Sequence, residues 1–201
     1  MTMHNALFVT GTDTGVGKTL VTAALAQALC RRGISVGVMK PVETGVANGQ
    51  PSDATRLMQA AGVADSLTLV RPYAFRLPLA PWDAARAERR TISRSVILRA
   101  WQRLRSHHAI VLVEGAGGVH VPITRKTDML DLMATMKRPV LVVGRSALGG
   151  INHATLTLAA LQARQIPVAA LVLNRPAPVT TRLARSQERS TVQFLRTTTA
   201  V

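Results

Sequence analysis

Apolar residues along this 201-residue chain fall into short continuous runs, separated by longer stretches with helical spacing. Five runs, Ala6–Thr10, Ile34–Met39, Ala109–Val113, Pro139–Val143 and Pro167–Leu173, are too short for helices and rich in branched apolar residues. They predict five buried strands. Between them lies a helical pattern from a glycine loop to about Arg32, with Gly33 placed to end it. A second helix starts at Ser52 or Asp53, either of which can cap it, and runs to about Ala61 before Gly62. Ile92, Val96, Ile97, Ala100, Trp101 and Leu104 share one face of a third, with Trp101 expected in the core. His107 and His108 end it, and contact with the helix C-terminus is expected of them. Helices are also predicted over Asp128–Met136, from Gly149-Gly150-Ile151-Asn152-His153 to about Gln165, and as a basic tail from Thr180. Residues 46–51 read as a turn. Residues 62–90, with prolines at 72, 78 and 81, read as a long surface loop with one short helix near 82–88. Strands alternate with helices, so the fold class is α/β, with a largely parallel central sheet flanked by helices in three layers. At this length one domain, 1–201, is the default.

The first strand leads into Val9-Thr10-Gly11-Thr12-Asp13-Thr14-Gly15-Val16-Gly17-Lys18-Thr19, and a helix follows. Strand, glycine loop and helix in this order are the context of a P-loop. Glycines let backbone N–H groups curl around phosphate oxygens, and the helix N-terminus adds unpaired donors. Lys18 would reach the β- and γ-phosphates, and the Thr19 hydroxyl would ligate Mg²⁺. Gly17 lies six positions after Gly11, one more than the usual pattern, so the loop is a variant P-loop. Strand two ends in Lys40-Pro41-Val42-Glu43-Thr44-Gly45, at the strand end where open α/β sheets keep ligand groups. Strand three ends in Glu114-Gly115-Ala116-Gly117-Gly118; an acid after an apolar strand is how nucleotide hydrolases place a carboxylate near Mg²⁺.

Charge changes the picture in one respect. The formal net charge is +15, and 21 of the 25 basic residues are arginine. They are spread along the chain, and aromatics make up only 3%, which argues against a nucleic-acid binder built on base stacking. Only ten residues are acidic, and Asp13, Glu43, Asp53 and Glu114 sit beside glycine turns or at strand ends. Carboxylates placed there in a basic protein point to metal or cation sites. Cys30, the single cysteine, reads as a packed thiol. No apolar run approaches the length of a membrane span and no signal peptide is evident, so a cytoplasmic location is expected.

The segment Val9–Thr19, Lys40–Gly45, Ser52-Asp53-Ala54, Pro72-Tyr73-Ala74-Phe75, Val113–Gly118 and Gly150–His153 occur in one order. By these motifs the chain resembles the dethiobiotin synthetase family of the P-loop NTPase superfamily, from about Leu7 to about Asn174. The resemblance implies that ATP, CO₂ or bicarbonate, and 7,8-diaminononanoate are substrates. One amine becomes a carbamate, the carbamate attacks the γ-phosphate, and the second amine closes the cyclic urea. It implies that Lys40 and Lys18 are catalytic, stabilising the carbamate and the transferring phosphoryl group. Thr19, Asp53 and Glu114 would hold Mg²⁺. Nucleotide would contact Thr14, Gly15, Val16, Gly17, Lys18, Thr19, Leu20, Asp53, Glu114, Gly115, Ala116, Gly117, Asn174 and Arg175. Thr44, Gly118 and Asn152 would contact substrate. A homodimer is implied, with substrate near the subunit interface and no membrane partner.

Three departures from the family pattern stand out. Ala80-Pro81-Trp82 replaces a hydroxyl residue, Pro and His after Pro78. Arg175 stands where an acid often follows the Asn. The C-terminus reads as shortened, without the family's last strand and base-pocket segment. Two alternatives share the domain type. Corrin-precursor amide ligases carry an added glutaminase domain with a nucleophilic Cys, which this chain lacks. Partitioning-ATPase switches carry a signature lysine early in the P-loop, where Asp13 stands here.

Overall fold

A computed structural model describes residues 5–46, 51–175 and 180–199. Its elements are β1 (Ala6–Gly11), α1 (Lys18–Cys30), β2 (Val36–Met39), β3 (Val42–Glu43), α2 (Asp53–Ala61), α3 (Leu67–Val70), β4 (Tyr73–Ala74), α4 (Pro81–Ala87), α5 (Arg94–His107), β5 (Ile110–Glu114), α6 (Met129–Met136), β6 (Val140–Arg145), α7 (Gly150–Ala163), β7 (Val168–Asn174) and α8 (Arg182–Thr198). Five strands pair in the order β2-β5-β1-β6-β7, all parallel. β1 is central, and its Phe8 and Val9 are buried with Val38, Val111, Leu112, Val113, Val140 and Val142 of its neighbours. That is why the strands read as unbroken apolar runs rather than alternating ones.

The chain leaves β1 towards β2 on one side, and later connections run the other way, through β5 to β6 and β7. Right-handed crossovers then place α1 on one face and α5, α6 and α7 on the opposite one. The order reverses between β1 and β5, so a crevice opens beyond their carboxyl ends. The loops after β1, β2 and β5, which carry the sequence's candidate residues, all converge there.

The helices end for local reasons. The Ser52 hydroxyl accepts from Thr55 N at 3.2 Å and caps α2, and Gly62 closes it in the left-handed conformation, φ 63°. Asp128 and Asp131 form a reciprocal capping box on α6. Trp101 is buried in the core face of α5, as its spacing predicts, with the Arg105 guanidinium 4.7 Å from its ring. Cys30 donates its thiol to the Ala61 carbonyl at 3.4 Å, so it packs α1 against α2.

The stretch 62–90 is not the surface loop its prolines suggest. Besides α4, it holds α3 and β4, and Val70, Tyr73 and Phe75 are buried. β4 pairs in parallel with β3, as a two-stranded sheet beside the main one. Strands of two residues carry no periodicity, which is why the sequence pattern misses them. His108 also departs from expectation. It pairs with Asp65 at 2.9 Å and meets Ser35 Oγ at 3.1 Å, tying the end of α5 to the start of β2 rather than neutralising the helix terminus. The turn expected over 46–51 falls largely outside the described residues. The basic tail is helical over Arg182–Thr198.

Candidate active site

The crevice holds a cavity of about 570 Å³. Its floor is the loop from β1 to α1. Gly15 and Gly17 take φ of 72° and 94°, the left-handed region that glycine enters without steric cost. Gly17 is also the residue that opens α1, and a Cβ there would strike the side chain of Asn174. Asn174, at the end of β7, donates its amide to the Val16 carbonyl at 2.8 Å. Val16 itself is buried with Val9, Leu141 and Val143. The loop is thus held from behind by apolar packing and from the side by one amide. Thr12 and Thr14 spend their N–H groups on the Val143 carbonyl and Asp13 Oδ1, while Gly15, Gly17 and the first turn of α1, whose N–H groups have no intrahelical partner, line the cavity.

Two lysines meet at the cavity. Lys18 Nζ donates to the Asp13 carbonyl at 2.9 Å. Its pKa is pushed down to about 8, chiefly by burial and then by the nearby Lys40 charge. Lys40 Nζ lies 3.0 Å from Asp53 Oδ2 and 2.5 Å from Glu114 Oε1. Burial opposes its charge, but Glu114 and Asp53 together hold its pKa above the ordinary lysine value. Asp53 is held below the ordinary carboxylate value: its own partial burial works the other way, and Lys40, together with the Thr19 hydroxyl and Arg56, outweighs it. Thr19 Oγ1 donates to the same Glu114 oxygen at 2.8 Å.

Glu114 is fully buried, and its second oxygen, Oε2, has no hydrogen-bond partner among the described residues. An unpartnered buried carboxylate oxygen is costly unless something completes it. Together with Asp53 and the Thr19 hydroxyl it offers hard oxygen donors of the kind Mg²⁺ takes. No group of three or more acidic, His or Cys residues able to hold a metal occurs among the described residues. An ion here would need phosphate oxygens and water for the rest of its shell, the usual arrangement for Mg²⁺ at nucleotides.

The four carboxylates singled out by the sequence each have a cationic partner. Asp53 and Glu114 share Lys40, Asp13 pairs with Arg145 at 2.9 Å, and Glu43 pairs with Arg71 at 3.0 Å. Sequence reasoning missed Arg145 and Arg71, because nothing distinguishes them among 21 arginines until the fold brings them to a rare acid.

Most of the expected site residues converge. Thr14, Gly15, Gly17, Lys18, Thr19, Lys40, Thr44, Asp53, Glu114, Ala116 and Gly117 all line the cavity. Ala80 and Pro81, where the family pattern is departed from, line its mouth. Gly115 sits just behind, its N–H given to the Val9 carbonyl, and Gly118 lies against the backbone of Gly11 and Thr12. Three others lie elsewhere. Leu20 turns its side chain outwards on α1. Arg175 pairs with Glu188 of α8, whose carboxylate also accepts from Ser146 Oγ. Asn152 is exposed on α7.

The geometry is that of a nucleotide-phosphate site, and comparison with known proteins agrees. Residues 5–201 match a family model described as an AAA domain. A relative from Anaeromyxobacter dehalogenans (strain 2CP-C), named ATP-dependent dethiobiotin synthetase BioD, is 49% identical over 86% of this chain and 77% of its own length. The chain belongs to the dethiobiotin synthetase family. A synthetase of the same name from Thermodesulfovibrio yellowstonii is 40% identical, over 88% of this chain and 78% of its own. Among solved structures, the MinC:MinD cell division complex of Aquifex aeolicus matches with a TM-score of 0.57 at 15% identity, covering 96% of this chain and 78% of that one. At that identity the likeness speaks for the P-loop NTPase fold alone. Among the described residues no helix is long and apolar enough to cross a membrane.

Proposed function

We propose that this chain performs ATP-dependent dethiobiotin synthesis, with 7,8-diaminononanoate and CO₂ or bicarbonate as the other substrates and ADP and phosphate as by-products. The observation that carries the reading is the placement of Lys40. Its ammonium is buried at the meeting point of the phosphate loop, Asp53 and Glu114, in the cavity that Thr44 also lines.

The chemistry requires management of negative charge rather than a protein nucleophile. One substrate amine adds to CO₂ and loses a proton, giving a carbamate. A carbamate oxygen attacks the γ-phosphorus, and the bond to ADP breaks. The second amine attacks the carbonyl carbon of the mixed anhydride, and phosphate leaves as the ring closes. Lys18 and the loop N–H groups bind the phosphates, with Thr14 at the rim. Lys40 holds the carbamate against the transferring phosphoryl group, and Thr44 orients the amine end. Thr19, Asp53 and Glu114 are the residues that would hold Mg²⁺, which neutralises phosphate charge when bound. Asn174 keeps Gly17 and Val16 in register beneath the nucleotide, near the base, and Arg175 lies beside it.

Two copies of the chain are proposed to pair through the start of α7. Leu148 before α7 is 82% exposed, and Leu183 of α8, which lines the same concavity, is 78% exposed, an apolar surface in a chain otherwise rich in surface charge. Asn152 on that surface would then approach substrate from the interface. A cytoplasmic location fits the cytosolic supply of ATP and bicarbonate.

The experiment is phosphate release from Mg-ATP and bicarbonate, with and without diaminononanoate, followed by mass detection of the cyclic urea. Substrate-dependent release with dethiobiotin formed is the expected result. A folded, ATP-binding chain without that dependence would overturn the proposal. The switch reading has no observation in its favour: Asp13, at the position of the signature lysine, is engaged by Arg145.

A further inference from the structure

Glu43 is used by none of the steps above, yet it is buried beside them. Its Oε2 pairs with the Arg71 guanidinium at 3.0 Å, and both side chains are largely shielded from solvent. Its Oε1 accepts the backbone N–H of Asp53 at 2.5 Å. Glu43 stands three residues after Lys40, at the end of β3. Asp53 opens α2 and turns its own carboxylate back to Lys40. These contacts close a ring: Lys40, the short backbone to Glu43, the Asp53 amide, the Asp53 carboxylate, and Lys40 again.

The Arg71 side of the ring is braced as well. The Lys40 N–H donates to the Val70 carbonyl at 2.8 Å, and the Phe75 N–H donates to the Glu43 carbonyl at 2.9 Å. The segment around Arg71 is therefore stitched along the whole Lys40–Glu43 stretch. A carboxylate at a helix N-terminus is favourable in itself. Here it also fixes which way the first residue of α2 presents its side chain.

We propose that Glu43 and Arg71 are a positioning pair that sets the Asp53 carboxylate opposite Lys40 and Glu114, and thereby sets the affinity of the site for a divalent cation on bound nucleotide. The inference rests on the phosphate-site reading, not on the identity of the second substrate. Glu43 fixes Asp53 through its amide. Arg71 keeps Glu43 aimed, because a buried carboxylate that loses its ion-pair partner turns away.

The test uses Mn²⁺ as a paramagnetic probe, titrated into the full chain saturated with ATP and read by electron paramagnetic resonance. Glu43→Ala and Arg71→Met are each expected to weaken Mn²⁺ binding by about 10–100-fold, the range for residues that orient metal ligands. ATP affinity measured without metal is expected to change by no more than about twofold, since neither residue belongs to the phosphate loop. Glu43→Gln keeps an acceptor for the Asp53 amide and is expected to recover most of the Mn²⁺ affinity, and Arg71→Lys part of it. The double variant Glu43→Gln with Arg71→Met removes both charges and guards against a variant that simply fails to fold. Equal losses of Mn²⁺ and metal-free ATP affinity, or lower melting temperatures with unchanged Mn²⁺ binding, overturn the pair's positioning role. The outcome is independent of turnover, so a chain inactive on diaminononanoate would sink the reaction and leave this result standing.

Discussion

Lys40 lies 2.5 Å from Glu114, and both are withdrawn from solvent. The lysine comes from the loop after β2 and the glutamate from the end of β5, so their meeting depends on those two strands being neighbours. Removing the lysine takes from two neighbouring carboxylates the one cation bonded to both, leaving Lys18 as the nearby charge. Lys40→Met is expected to reduce phosphate transfer by roughly 10² or more, and to cost about 3–5 kcal/mol of stability in the metal-free chain. Added Mg²⁺ should restore part of the melting temperature without restoring turnover. An active Lys40→Met enzyme would remove this residue from the mechanism.

Lys18 gives the site a pH dependence. With its pKa lowered to about 8, the free protein loses that charge as pH rises past 8. Bound phosphate favours the protonated form, so above this pH nucleotide binding takes up a proton. ATP affinity is expected to be level below about pH 7 and to fall above 8, approaching tenfold per pH unit. Calorimetry in two buffers of different ionisation enthalpy reads the uptake directly. Identical heats in both buffers at pH 9 would show that Lys18 stays charged.

Glu114 Oε2 offers a more selective test. Glu114→Gln keeps the side chain's volume and one acceptor oxygen but halves the negative charge shared by Lys40 and the proposed cation. The half-saturating Mg²⁺ concentration is expected to rise by about tenfold or more, with metal-free ATP binding unchanged or tighter. Unaltered Mg²⁺ dependence would count against Glu114 as a ligand.

Gly17 and Asn174 are coupled by space. Gly17→Ala carries a strain of about 1–2 kcal/mol from its left-handed backbone, on top of the collision with the Asn174 amide. Asn174→Ala alone is expected to cost about 1 kcal/mol for the lost bond to Val16. The double variant should therefore be more stable than the sum of the singles implies, while ATP affinity stays low. Strict additivity in a denaturant cycle would mean that the two residues do not share that space.

The phosphate loop, Lys40 and Glu114 are legible in the sequence because each stands at a strand-to-loop junction beside glycines or a proline. Strand end and backbone freedom are what a phosphate site needs. The five main strands are legible because burial on both faces makes them uniformly apolar. β3 and β4 are not, since two residues cannot show a period, and neither is the burial of Val70 and Phe75 on either side of β4. The Arg71–Glu43 and Arg145–Asp13 pairs are tertiary facts. Their arginines come from the loop before β4 and from the end of β6, and no local pattern ties them to their acids.

The amide of Asn174 reaches back 158 residues to the carbonyl of Val16. A contact that distant in sequence forms only after most of the chain is in place, since the loop it closes must lose its freedom first. During synthesis the first strand and its glycine loop leave the ribosome early, but the partner that steadies the loop is made 158 residues later. Tight ATP binding thus becomes a sign of maturity, separating a finished sheet from one still lacking its edge strand. Ribosome-bound chains halted before β7 are expected to be poor at retaining ATP, and those released after it competent.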